Sequence, residues 1–160
     1  MSLLIKGGEV ITASDRYVAD IYCKDETITR IEKDMEAPDG CTVVDASGKL
    51  VFPGFVDPHT HIYLPFMGTF AKDNYETGTK AALMGGTTTL IDFSIASRDE
   101  EPMDAYQKWQ EESRGKAACD HTFHIAVTRF DDKIEQQLRD IIADGMASFK
   151  VFLAYKGAFG

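Results

Sequence analysis

The 160-residue sequence predicts an α/β protein: a β-rich region over residues 1–52, then the first four βα units of a parallel barrel over 53–160. Three observations lead there. Short strand-like runs separated by tight turns fill the first fifty residues. From Phe55 onward, strand-like and helix-like stretches alternate with short connections, as parallel βα units with right-handed crossovers require. The glycines after the first of those strands form no GxGxxG loop, which a doubly wound nucleotide-binding sheet would carry at that place. A complete eightfold barrel takes about 250 residues, so four units amount to half of one.

The elements follow in order. "LLIK" and "EVIT" flank Gly7-Gly8, a pair that can supply positive φ and is read as a turn. "YVADIYCK" alternates between two faces, and "TITRIE", across Asp25-Glu26, reads as the other arm of a hairpin. "CTVVDA" and "KLVF" complete six short strands, the pattern of a small β-sandwich or a piece of one. "GFVDPHTH" then reads as a strand and "DNYETGTKAALMG" as a helix stopped by Gly85-Gly86. "TTTLIDFSI" is a strand rich in β-branched residues. "EPMDAYQKWQEESRGK" is a helix with Pro102 in its first turn and Met103, Tyr106, Trp109 and Gln110 on one face. "HTFHIAVT" is a third strand. "DDKIEQQLRDIIADG" is a third helix with an apolar stripe of Ile134, Leu138, Ile141 and Ile142, ended by Gly145, and "ASFKVFLAY" is a fourth strand.

Composition narrows the function. A net charge of −9 with no charged tail disfavours nucleic acid or anionic membrane as a partner. No apolar stretch approaches the roughly 20 residues of a membrane helix, and the N-terminus lacks the basic and apolar regions of a signal peptide. Cys23, Cys41 and Cys119 are scattered and odd in number, so reduced thiols and a cytoplasmic location are expected.

Two places carry chemistry. "PGFVDPHTH" delivers His59 and His61 at the end of an apolar strand broken by Pro-Gly. Residues i and i+2 of a strand point the same way, so the two imidazoles can converge on one metal ion. The C-terminal ends of barrel strands are where parallel barrels place their chemistry. Asp57, on the same face, reads as an acceptor that orients one of the rings. The second place is Lys150, between Phe149 and Val151 in a strand expected to be buried, where an ammonium ion is costly. Either the lysine snorkels or pairs with a carboxylate, or burial keeps it neutral for a Schiff base or a carbamate. His121 and His124 form an HxxH whose rings lie on opposite strand faces, and both read as structural, as does Asp92.

"PGFVDPHTHIYLPFMGT", "YETGTKAALMGGTTTLIDF" and "SFKVFLAYKGAFG" together resemble the dihydropyrimidinase and hydantoinase branch of the amidohydrolase superfamily, along the whole chain. The resemblance implies a small β-sandwich joined to a distorted (β/α)8 TIM-type barrel, of which these residues are the N-terminal portion. It implies metal-dependent opening of the cyclic amide of 5,6-dihydropyrimidines or 5-substituted hydantoins to N-carbamoyl amino acids. Two divalent ions, usually zinc, would be held by His59, His61 and a carboxylated Lys150 that bridges them. Tyr155 would hydrogen-bond the substrate carbonyl as it becomes an oxyanion. Leu64, Phe152 and Phe159, with Phe66 and Ile95, match the apolar surround of the substrate. Tyr63 stands where relatives vary, and its bulk bears on substrate preference.

The resemblance also implies a homotetramer whose only partner is the small cyclic ureide. The family's two further histidines and its general-base aspartate have no match within these residues. The alternatives are a dihydroorotase- or allantoinase-like enzyme, or a dihydropyrimidinase-like scaffold without catalysis.

Overall fold

The computed structural model describes residues 1–66 and 68–154. The chain divides into two compact units, Met1–Pro53 and Gly54–Gly160.

The first unit holds β1 (Ser2–Ile11), β2 (Arg16–Lys24), β3 (Thr27–Glu32), β4 (Thr42–Asp45) and β5 (Leu50–Val51). They form one sheet in the order β3-β2-β1-β4, with β5 also paired to β1. The turn expected at Gly7-Gly8 is absent. β1 runs straight through, and its register against β2 slips between Ile5 and Gly8. Gly7 has φ +69°, so the pair forms an irregularity of the bulge kind inside one strand, where glycine carries no Cβ penalty. That merges two expected strands into one. Asp20 fastens the irregularity: Oδ1 accepts the Gly7 N–H at 2.7 Å and Oδ2 the Met35 N–H at 2.8 Å. The β2–β3 hairpin is as expected, with both turn residues, Asp25 and Glu26, at positive φ.

The second unit runs β6 (Phe55–Asp57), β7 (Pro65–Phe66), β8 (Thr69–Phe70), α1 (Tyr75–Met84), β9 (Thr87–Ile95), α2 (Pro102–Ser113), β10 (Asp120–Val127), α3 (Asp132–Ala143) and β11 (Phe149–Val151). β6, β9, β10 and β11 make a parallel sheet in chain order. Leu90 of β9 and Phe123 and Ile125 of β10 share one buried cluster with Tyr75 of α1, Tyr106 and Trp109 of α2, and Ile134, Leu138 and Ile141 of α3. All three helices therefore cover the same sheet face. A doubly wound sheet reverses its strand order and carries helices on both faces; this one does neither. It is half of a barrel-type sheet.

Local chemistry fixes the helices. Asn74 caps α1 by accepting the Thr77 N–H at 3.0 Å, while Thr77 Oγ1 accepts the Asn74 N–H at 3.2 Å. α2 begins at Pro102, whose missing N–H costs nothing in a first turn. Asp131 caps α3 through the Ile134 N–H at 2.8 Å. On α3 the stripe is narrower than expected: Ile134, Leu138 and Ile141 are buried, but Ile142 is 45% exposed. One residue past Ile141 is about 100° further round the helix. Gly54 is required by close approach, since a Cβ there would stand 2.0 Å from Thr88 Oγ1 of β9.

Candidate functional site

β6 ends at Asp57, so His59 and His61 lie in the segment beyond it and not on the strand that the sequence predicts. They still meet: their ring centroids are 5.3 Å apart, edge to face. Asp57 does not take a ring as expected. Its Oδ1 accepts the backbone N–H of His59 at 3.1 Å, a tight local turn that lifts the chain off the strand.

Both rings rest against Phe93. Its ring centroid lies 4.6 Å from that of His59 and 4.9 Å from that of His61. His124 of β10 is 4.9 Å from the same ring, and the Lys150 Nζ of β11 is 5.6 Å from it. The strand register explains this. Phe93 pairs with His124, and Lys150 pairs with Ala126, two residues along β10. Residues two apart on a strand share a face, so Phe93, His124 and Lys150 all point away from the helices. His121 points the other way, its ring 5.7 Å from that of Tyr75, so the opposed faces of the HxxH hold.

The surroundings of Lys150 differ from those expected. Phe149 and Val151 are 40% and 62% exposed, and Lys150 is half-buried with its Nζ 5.6 Å from both the Phe93 and Phe152 rings. β11 pairs with β10 on one side, and among the described residues nothing pairs with its other edge.

Electrostatics favour a neutral imidazole at His61. Though the residue is exposed, partial desolvation lowers its basicity most, Asp92 acts in the opposite sense, and His59 and Lys150 lower it further. The neutral ring is the form that binds a metal. Asp92 is 1% exposed, on the helix side of β9. Burial pushes its carboxyl upward, against the hydrogen bonds it accepts. Oδ1 accepts from the Phe93 N–H at 2.8 Å and the Ile62 N–H at 3.3 Å; Oδ2 accepts from the Tyr75 hydroxyl at 2.7 Å and the Tyr63 N–H at 3.5 Å. Burial likewise pushes the Tyr75 hydroxyl far up, and the carboxylate beside it adds to the shift.

The remaining predicted residues divide. Leu64 is half-buried ahead of β7, and its carbonyl accepts the Ala71 N–H at 2.9 Å. Phe152 stands beside Lys150. Tyr155 and Phe159, and the side chain of Phe66, lie outside the described residues. Tyr63 turns toward the helices, its ring 5.2 Å from Trp109, so its bulk fills the layer under α2. Phe93 and His124 were missed as site residues. The available signal was their alternation with Leu90, Asp92, Phe123 and Ile125, which leaves them on the opposite face.

The donor set suits a metal in part. Two imidazoles in ring contact can reach one ion at the roughly 2.0 to 2.1 Å of a zinc–nitrogen bond. Lys150 is a ligand only if its nitrogen gains an anionic oxygen group. Among the described residues no group of three or more His, Cys, Asp or Glu gathers for a metal.

The amidohydrolase family pattern matches residues 50–157. A D-hydantoinase of Geobacillus stearothermophilus is 43% identical over 160 residues, covering 99% of this chain and 34% of that protein. A dihydropyrimidinase of Rattus norvegicus is 40% identical over 162 residues, covering 98% and 31%. Among solved structures, the D-hydantoinase (dihydropyrimidinase) from Thermus sp. matches with a TM-score of 0.95 and 61% identity, over 99% of this chain and 34% of that one. The chain spans about a third of the length of these relatives.

Proposed function

The chain belongs to the amidohydrolase family, and from that premise we propose that the complete protein hydrolyses the cyclic amide bond of 5,6-dihydropyrimidines or 5-substituted hydantoins. The products are N-carbamoyl amino acids. The observation that carries this reading is the gathering of His59, His61 and Lys150 around Phe93 on the helix-free face of a parallel sheet. The names of the relatives supply the substrate class.

In this reading the His59 and His61 nitrogens hold one divalent ion. The Lys150 amine, once it has combined with carbon dioxide and lost a proton, would supply a carbamate as an anionic oxygen ligand for the metal site. Two ions held there, zinc by preference, supply Lewis acidity and a nucleophile at neutral pH. Tyr155 donates its hydroxyl to the substrate oxygen as negative charge develops, a contribution worth several kcal/mol in a dry site (about 3 to 4 for one well-aimed donor). Leu64, Phe152 and Phe159 exclude water around the ring substituent.

Residues 1–52 are read as part of a β-sandwich, with the hydrolase barrel over 53–160. The exposure of Ile28, Ile31 and Val44, which lie on the sheet face of Ile5, Ile21 and Cys23, supports this, because a second sheet would cover such apolar surface. A cytoplasmic homotetramer completes the reading. Its support is the family resemblance, together with three cysteines that remain free thiols.

The test is direct. The full-length protein should open dihydrouracil or hydantoin, carry two metal equivalents per chain, and lose activity to a chelator. A folded, metal-loaded protein that opens neither ring would overturn the reading.

A further inference from the structure

The histidine pair stands on no strand, so its spacing must be set by what ties the segment down. Three ties are present. At the near end, His124 Nε2 lies 2.9 Å from the carbonyl oxygen of Pro58, the residue before His59. In the middle, the Thr60 N–H donates to the Ile91 carbonyl at 3.1 Å. At the far end, the N–H groups of Ile62 and Tyr63, just past His61, both face the Asp92 carboxylate.

The side-chain ties at the two ends are chemically specified. A carbonyl oxygen can only accept, so His124 Nε2 carries the hydrogen. In the neutral ring Nδ1 is then an acceptor, and it sits 2.5 Å from the Ser148 hydroxyl, two residues before Lys150. One ring therefore links the backbone ahead of His59 to the approach of β11. Asp92 faces three backbone N–H groups and the Tyr75 hydroxyl, with two donors on each oxygen. Only an ionised carboxylate accepts on both oxygens without bringing a hydrogen of its own. Burial at 1% exposure excludes water as a substitute for these donors.

We propose that Asp92 and His124 are positioning residues for the His59–His61 pair, fastening the two ends of its segment to β9 and β10. Neither need touch a metal. Each acts through the backbone beside a ligand, so its loss widens the range of ring separations without removing a ligand. The proposal rests on the metal-site reading above. Partners that orient metal ligands change affinity by about 10- to 100-fold when removed.

The experiment measures zinc affinity and the visible spectrum of the cobalt-loaded form in the full-length wild type, Asp92→Ala, Asp92→Asn, His124→Leu and His124→Gln. Far-ultraviolet circular dichroism controls for folding. Asp92→Ala and His124→Leu should weaken metal binding about 10- to 100-fold and alter the cobalt bands. His124→Gln, whose amide can still donate to Pro58, should recover most of the loss. Asp92→Asn, which keeps one acceptor oxygen, should fall between. A wild type that binds no metal overturns the site reading, and this proposal with it. A wild type that binds metal, beside folded variants with unchanged affinity and spectra, overturns the positioning role alone. Should Asp92→Ala fail to fold, the two His124 variants and Asp92→Asn decide the matter.

Discussion

Asp20 and Asp92 are both buried carboxylates, 4% and 1% exposed, and each accepts backbone N–H groups on both oxygens. They serve different ends. Asp20 holds the β1 irregularity in the first unit, and Lys6 Nζ stands 3.9 Å away on a side chain 40% exposed to solvent. Asp92 has no ion pair among the described residues. Its compensation comes from the Phe93 N–H of β9, the Tyr75 hydroxyl of α1 and the Ile62 and Tyr63 N–H groups of the segment it ties down. A lysine can follow its partner as the chain moves, whereas fixed dipoles cannot. Compensation by fixed dipoles suits a place where the backbone must hold one geometry. Compensation partly by a mobile charge suits a place where only the shape of a sheet is at stake.

The bluntest way to sharpen that contrast is Lys150→Ala, which removes a predicted ligand from the second unit without touching either carboxylate. In the complete protein it should abolish binuclear metal binding and lower activity by more than about 100-fold, beyond the range of an orienting partner. Short carboxylic acids such as acetate should restore part of both. Unchanged metal content would remove Lys150 from the site. Thermal stability should change little, because its flanking residues Phe149 and Val151 are substantially exposed.

Asp20→Ala tests the other side. It strips partners from the Gly7 and Met35 N–H groups, each worth about 1 to 3 kcal/mol when left buried and unpaired. The expected loss is about 3 kcal/mol of stability in urea unfolding, with metal affinity and activity of the folded fraction unaltered. If Asp20→Ala weakened metal binding as much as Asp92→Ala, the division of labour between the two carboxylates would collapse.

These distinctions were only partly legible in the sequence. Helices announce themselves locally: Asn74, Pro102 and Asp131 mark three starts, and Gly85 and Gly145 close two ends. Strand order followed from alternation, because β6, β9, β10 and β11 pair in the order in which they occur. What failed was decided by partners distant in the chain. Gly7-Gly8 suits a turn or a bulge equally well, and Asp20, thirteen residues on, decides for the bulge. The extent of β6 depends on Asp57 turning back on the His59 N–H, which no period reveals. The β7–β8 hairpin has only two residues per arm, too few for any alternation to show. Within the site, the histidine pair and Lys150 stood out as chemistry out of place, whereas Asp92 and His124 read as structural. What Asp92 and His124 hold appears only once β9 and β10 lie side by side under the segment.

The smallest effect is the most discriminating. Tyr75→Phe removes one of the four donors facing Asp92 and leaves the ring in place within the core. Its cost should be about 1 kcal/mol, the net worth of one hydrogen bond. Metal release should be only a few-fold faster, well short of the roughly 10- to 100-fold change expected when an orienting partner is lost outright. The sign of the pH dependence separates this bond from simple packing. Burial already raises the Asp92 carboxyl, and the Tyr75 hydrogen bond opposes the rise. Losing it raises the carboxyl further in the folded state alone. A carboxyl raised on folding contributes stability below its unfolded range near pH ~4, and that contribution is lost as pH climbs through the folded value. In metal-free protein, the gap between wild type and Tyr75→Phe should therefore widen only once pH passes the wild-type folded value, and level off above the variant's higher one. A gap that stays constant over that range would mean the hydroxyl does not sense the Asp92 charge, and Tyr75 would be left as a packing residue.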